Sequence, residues 1–255
     1  MEEFAKNFEK VIEFELRGFF GKNKLQKFWR LARTSYVLYN LLKSYSKQPS
    51  SEIRICDVGC GPGIVSSFFA RRGFQVVGID IVEQLVSFAR KYFKKLGLRG
   101  QFITADITKY DPAFGSIKAN SIICIDAIEH FSDPNLSIQN FKAIIAEGGT
   151  VFLTTPNFGN PLFTLIERSW DVVGKTPGWG HLHVTRLGLR QYKQLFERAG
   201  FTIHESGTFM LASPFVAMFS SKLARLVSKV EQYLLRKIPA GFMLYITATL
   251  KQVQK

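Results

Sequence analysis

From Ile53 to Pro156 short apolar runs alternate with helix-length patterns: "IRICDVG" then "IVSSFFARRG", "QVVGID" then "VEQLVSFARKYFKKLG", "QFITAD", "SIICID" then "NLSIQNFKAIIAEGG", and "TVFLTTP". This rhythm constrains the fold more than any other feature. Strands that are apolar along their whole length are buried on both faces, and helices between them supply the cover. The expectation is an α/β chain with a Rossmann-like, mostly parallel sheet and helices on both sides. Gly73, Gly97 and Gly148 are expected to end helices, because glycine accepts the left-handed conformation there.

The flanks differ. Residues 1–50 are basic and helical in pattern. Phe4, Phe8, Val11, Ile12 and Leu16 share one face, and an aromatic-rich helix follows over "KLQKFWRLARTSYVLYNLLKSY". This region is expected to form an N-terminal helical cap, with residues 51–255 as the main domain. After "TTPN" an irregular stretch runs to about Thr185. A helix is expected over "TRLGLRQYKQLFERAG" with Thr185 at its start, then strands at "FTIHESG" and "GFMLYITATLK". The segment between these strands, residues 208–240, is expected to be a helical insertion before the last strand.

Length and composition narrow the class. The 255 residues suffice for one large domain, and 46% hydrophobic content excludes a disordered chain. No apolar run reaches the roughly 20 residues that span a bilayer. The charged N-terminus "MEEFAKNFEK" lacks a secretory signal core, so a cytoplasmic protein is expected. Three cysteines, Cys56, Cys60 and Cys124, lack paired spacing and are expected to be small buried hydrophobes. No metal-ligand set is evident. The net charge of +14 invites a polyanionic partner without choosing among RNA, lipid and acidic substrates.

Against that positive excess, acids gather at one sheet edge. Asp57, Asp80, Asp106 and Asp126 fall at or near the ends of the first four expected strands. Ligands bind at this edge of open parallel sheets. The loop "DVGCGPG" follows the first strand. An acid about twenty residues later, Asp80, suits a ribose, because a carboxylate accepts from both hydroxyls. Asp57 at the loop mouth would repel a pyrophosphate but suits a cationic ligand, directly or through water. An adenosine joined to an ammonium and a sulfonium is S-adenosylmethionine. The glycines allow close approach of the backbone to its methionine.

In order, "DVGCGPG", "GID", "ADI", "IDAIEHF" and "EGGTVFLTTPN" resemble the motifs of class I S-adenosylmethionine-dependent methyltransferases. The resemblance is nearest to the small-molecule branch that includes ubiquinone-biosynthesis O-methyltransferases, and it covers roughly Glu52 to Gly207. It implies a seven-stranded sheet with an antiparallel last strand. It also implies that Gly59, Gly61 and Gly63 line the methionine, with Cys60 among the cofactor-binding residues, and that Asp80 binds ribose with Ile81 on the adenine. Asp106 would accept from the adenine amine beside Ile107, and Asp126 with Ala127 would lie near the sulfonium. His130 is the expected base, with Glu129 orienting it or facing solvent. His183 is a second catalytic candidate, in the region expected to form the acceptor pocket with His181, Trp170 and Trp179.

The expected reaction is methyl transfer to a small molecule, most readily to the oxygen of an aromatic or quinone-like acceptor. An RNA methyltransferase and a non-catalytic cofactor-binding protein are the alternatives. No nucleic-acid partner is expected, because no RNA-binding signature accompanies the charge. Finally, Phe215, Phe219, Leu223, Leu226, Val230 and Tyr233 share one helical face, with Lys222, Arg225, Lys229, Arg236 and Lys237 as a basic complement. Residues 214–237 are therefore a candidate for peripheral membrane contact. The alternative is that the apolar face packs on the protein's own sheet or on a second subunit in a homodimer.

Overall fold

The computed structural model describes residues 5–163, 165, 167, 183–235 and 238–251. Phe4, Trp170, Trp179, His181, Arg236 and Lys237 lie outside them.

Seven strands form one sheet: β1 (Arg54–Val58), β2 (Gln75–Asp80), β3 (Gln101–Thr104), β4 (Ala119–Ile125), β5 (Ile145–Pro156), β6 (Phe201–Phe209) and β7 (Met243–Leu250). Their order is β3-β2-β1-β4-β5-β7-β6. The first five pair in parallel, and β7 runs antiparallel to both β5 and β6. This is the Rossmann-like sheet that the alternation implies. Strand order reverses direction between β1 and β4, which opens a crevice at their carboxyl ends.

Two apolar layers sandwich the sheet. One packs Cys56, Val58, Ile122, Cys124 and Leu153 against Ile138, Phe141 and Phe196. The other packs Ile55, Val76, Ile123 and Phe152 against Val37, Leu41, Val86 and Phe93. All three cysteines are free and buried. The N-terminal helices α1 (Phe8–Phe20) and α2 (Lys24–Ser44) belong to this assembly, since Val37 and Leu41 of α2 sit in the second layer. Asn23 caps α2 by accepting from the Gln26 N–H at 3.1 Å.

Helices α3 (Ile64–Ala70), α4 (Glu83–Lys95), α5 (Phe114–Ile117) and α6 (Pro134–Ile144) connect the parallel strands. Gly73 and Gly97 take positive φ after α3 and α4, as expected. Gly148 does not end a helix. Here α6 stops at Ile144, β5 begins at Ile145, and Gly148 takes φ +70° where the β4–β5 register shifts. Thr185 also starts no helix. Helix α7 (Leu189–Arg198) begins after Gly188, and Thr185 instead ties its N–H to the Glu129 carbonyl and its hydroxyl to the Phe131 carbonyl.

Two helices, α8 (Ser213–Phe219) and α9 (Ser221–Leu234), stand between β6 and β7. Phe209 pairs with Met243, and Met243 with Pro156. The insertion therefore leaves the sheet at the same edge where the parallel strands end.

Candidate functional site

A cleft opens above the carboxyl ends of β1, β2 and β4. Asp57, Gly59, Cys60, Gly61, Asp80, Ile81, Asp106, Ile107, Asp126, Ala127 and His130 all line it. Gly63 and His183 do not.

The loop after β1 forms its floor, and the backbone hydrogen bonds there decide what it can hold. The N–H groups of Gly59 and Cys60 both donate to the Ile79 carbonyl, at 2.8 and 3.0 Å. The Gly61 N–H donates to Asp80 Oδ2 at 2.8 Å, Pro62 has none, and the Gly63 N–H donates to the Cys60 carbonyl at 3.0 Å. A phosphate cradle needs free, convergent N–H groups. From Gly59 to Gly63 every N–H is engaged within the protein.

The glycines serve three different ends. A Cβ on Gly59 would clash with Ala127 Cβ, so its absence lets the loops after β1 and β4 meet. A Cβ on Gly63 would meet Ala89 at 2.9 Å, so Gly63 seats α3 against α4 behind the cleft wall. Gly61 (φ +50°) has open space where a Cβ would project, and it lines the cleft. Of the three, Gly61 best matches close approach of a ligand to backbone.

The acids sit in unlike surroundings. Asp57 is buried and accepts from Ser66 Oγ at 2.5 Å. Its burial, with the nearby Asp80 charge, pushes its carboxyl up to about 7 against the pull of that hydrogen bond. Asp80 accepts from the N–H groups of Val82 (Oδ1, 2.9 Å) and Gly61 (Oδ2, 2.8 Å), leaving further lone pairs on both oxygens. Burial raises its carboxyl as well, partly offset by those backbone donors. Partial burial also works to raise Asp106, but Thr108 and Lys109 outweigh it and hold that carboxyl below its usual range.

Asp126 follows β4 with φ +51°, a left-handed conformation rare outside glycine. It forms an ion pair with Arg33 through Oδ2, while its buried Oδ1 has no hydrogen-bond partner among the described residues. Buried carboxylate oxygens are normally satisfied, so this one lacks a donor that the described residues do not supply. Arg33 is the largest omission of the sequence reading. It projects from α2 into the cleft, and Arg30 and Glu15 line the same wall, paired at 2.6 Å. Burial first, then the nearby Arg30 charge, lowers the Arg33 guanidinium to about 9. The cleft thus offers a buried guanidinium and, on the carboxylate paired with it, one oxygen without a partner among the described residues.

The two histidines meet beside the loop after β4. The rings of His130 and His183 lie 4.9 Å apart. His183 Nδ1 is 2.6 Å from Glu167 Oε1, and Glu167 Oε2 accepts from Arg186 at 2.6 Å. Burial works to raise the Glu167 carboxyl, but these two partners hold it low. Glu129 faces inward, not solvent: it is buried and accepts from Thr155 Oγ1 at 2.8 Å. Glu129, His130 and His183 bring ligand-type atoms within 4.8 Å of one another, a grouping that the sequence does not signal. Glu167 and Thr155 already engage two of the three.

A family model described as a methyltransferase domain matches residues 28–206. The chain belongs to the methyltransferase domain family. The match begins within α2, upstream of Arg33. Among curated relatives, a ubiquinone biosynthesis O-methyltransferase of Actinobacillus pleuropneumoniae is 31% identical over 152 residues, covering 53% of this chain and 65% of the relative. That of Coxiella burnetii is 33% identical over 117 residues, covering 44% and 48%. The alignments thus span less than two thirds of these relatives' length. Among solved structures, magnesium protoporphyrin IX methyltransferase from Synechocystis PCC 6803 with bound SAH superposes with a TM-score of 0.64 at 16% identity, covering 98% of this chain and 97% of that one. A SAM-dependent methyltransferase from Aquifex aeolicus gives 0.53 at 13% identity, covering 82% and 87%. These likenesses show the shared fold.

Proposed function

We propose that this chain transfers the methyl group of S-adenosylmethionine to an oxygen of a small aromatic or quinone-like acceptor. One observation carries the cofactor assignment. The loop N–H groups from Gly59 to Gly63 are internally satisfied, while Asp80 and Asp106 face the cleft with acceptor capacity and Asp126 Oδ1 has no partner among the described residues. Such a cleft suits a ligand rich in donors and positive charge, and it repels a pyrophosphate. When bound, S-adenosylmethionine supplies an electrophilic methyl group on a sulfonium.

The residues divide the binding work. Asp80 accepts from the ribose hydroxyls while holding Gly61. Ile81 and Ile107 flank the adenine, and Asp106 accepts from its amine. Arg33 takes the methionine carboxylate, and Asp126 Oδ1 takes the ammonium. His130, on the cleft wall, takes the proton released by the acceptor hydroxyl. A general base of this kind contributes about 10²- to 10⁴-fold. His183, fixed by Glu167, backs the His130 ring and positions it. Most of the remaining acceleration is alignment of oxygen, methyl and sulfur. The named activity of the curated relatives supports an oxygen acceptor on a quinone precursor.

The test has two stages. Calorimetry measures binding of S-adenosylmethionine and S-adenosylhomocysteine. Labelled cofactor is then offered to a panel of catechols and polyprenylated phenols, with products identified by mass spectrometry. Binding without transfer to any phenol overturns the acceptor assignment. No binding overturns the cofactor assignment.

A further inference from the structure

The insertion helix α9 is mounted inside out. The face it turns to the protein carries Ala224, Ser228 and Glu231, all buried. Glu231 locks this face by accepting from Ser213 Oγ at 2.5 Å and from the N–H groups of Ala212 and Ser213, at the start of α8. The apolar face points outward. Leu223 is 51% exposed, Leu226 60%, Val230 52% and Tyr233 78%. Phe219, at the end of α8, is 83% exposed. The protein's own sheet thus does not cover this face. A fold normally buries such a stripe, and several large apolar side chains left together in water mark an interaction surface.

Charge selects the occupant. At 3.6 residues per turn, Leu223, Leu226, Val230 and Tyr233 fall within an arc of about 80°. Lys222, Arg225 and Lys229 occupy the adjoining flank, and all three are exposed. No acid lies between Ser213 and Val230. Two copies meeting on this stripe would bring their basic flanks together. A surface that is apolar below and negatively charged above meets both the stripe and the flank.

We propose that α8 and α9 seat this protein on an anionic lipid bilayer, with Phe219, Leu223, Leu226, Val230 and Tyr233 entering the interface and Lys222, Arg225 and Lys229 contacting lipid phosphate. The described residues contain no helix long and apolar enough to cross a membrane, so the contact is peripheral. An amphipathic helix of this kind lies in the interface plane. Its position also joins it to the cleft. Phe215 packs on Phe242, Phe242 stacks with Trp29, and Trp29 precedes Arg33 by one helical turn on α2. The seated face and the cleft therefore share one edge of the sheet.

The test uses the full chain with sedimented vesicles of phosphatidylcholine alone, or mixed with phosphatidylglycerol, at low and high salt. Binding is expected to need phosphatidylglycerol and to weaken with salt. Replacing Lys222, Arg225 and Lys229 together by Gln should reduce the partition coefficient on the order of a hundredfold. The pair Leu226→Ser and Val230→Ser should abolish sedimentation while leaving circular dichroism and cofactor binding unchanged. If that pair unfolds, Tyr233→Cys labelled with a polarity-sensitive dye gives the second readout. The three native cysteines are buried, so the label reports position 233. A blue shift with phosphatidylglycerol vesicles is expected. Three results overturn the proposal: no sedimentation with either vesicle, no dye shift, or light scattering that shows a dimer which the serine pair dissolves.

Discussion

Arg33 of α2 reaches across the cleft to pair with Asp126 at the end of β4, so the N-terminal helices close the ligand site electrostatically as well as by packing. Neither partner stands near the other in the chain. Replacing Arg33 by Met leaves a largely buried carboxylate unpaired, which typically costs about 3 kcal/mol or more. The variant should unfold at lower denaturant and bind S-adenosylmethionine at least tenfold more weakly, about 1.4 kcal/mol. Adding Asp126→Asn should recover stability but not affinity. Denaturant melts and calorimetry on the single and double variants separate the two effects.

Asp80 is expected to act twice, on the ligand and on the Gly61 N–H. Asp80→Asn keeps one acceptor oxygen, whereas Asp80→Ala removes both. Affinity for the cofactor should fall by roughly 1.5–3 kcal/mol per charge-assisted hydrogen bond lost. Ala should also quicken amide exchange at Gly61, and Asn should do so less. Unchanged affinity in either folded variant refutes the ribose assignment.

His130→Ala should slow turnover by about 10²- to 10⁴-fold with little change in cofactor affinity. His183→Ala should do less, since its ring lies 4.9 Å from that of His130 and only backs it. A rate loss under tenfold at saturating acceptor would make His130 a structural residue.

Asp57 carries a signed prediction for stability. Its native carboxyl stands near 7, raised by burial, whereas an unfolded Asp titrates near 4. Between these values the native state holds a proton that the unfolded state has lost. Stability contributed by this group is therefore greatest below about 4, falls as pH rises, and levels off above about 7, with a slope of up to about 1.4 kcal/mol per pH unit. Asp57→Asn removes the slope and should raise the melting temperature at pH 8 relative to wild type. Thermal melts across this range check it.

Gly59→Ala should destabilise by several kcal/mol, since a positive φ and the clash of the added Cβ with Ala127 act together. Thermal melting gives the size. Gly61→Ala, with open space at its Cβ, should cost less stability and more cofactor affinity.

The sheet and its acidic edge were legible because strand and helix periods differ and because each carboxylate falls at or just after the carboxyl end of its strand. The start of β5 was not: "EGG" resembles a helix stop, yet Gly148 and Gly149 lie within an irregular strand. Arg33 was hidden for another reason. It sits in an aromatic helix whose periodicity gives its buried face but not which strand end that face meets. His183 and Glu167 likewise meet with no sequence spacing to announce them. For α9, periodicity gave the apolar stripe, and only the packing of Ala224, Ser228 and Glu231 gave its direction.

The reversed last strand has a consequence for how such a molecule diversifies. Because β7 runs against its neighbours, the β6–β7 connection is a hairpin that opens on the cleft side, and both of its ends are held by paired strands. A parallel β7 would be entered from the opposite rim. Residues added here need not disturb the strand pairing on either side. The hairpin is thus a socket, where an address can be rewritten while the chemistry next to it stays the same.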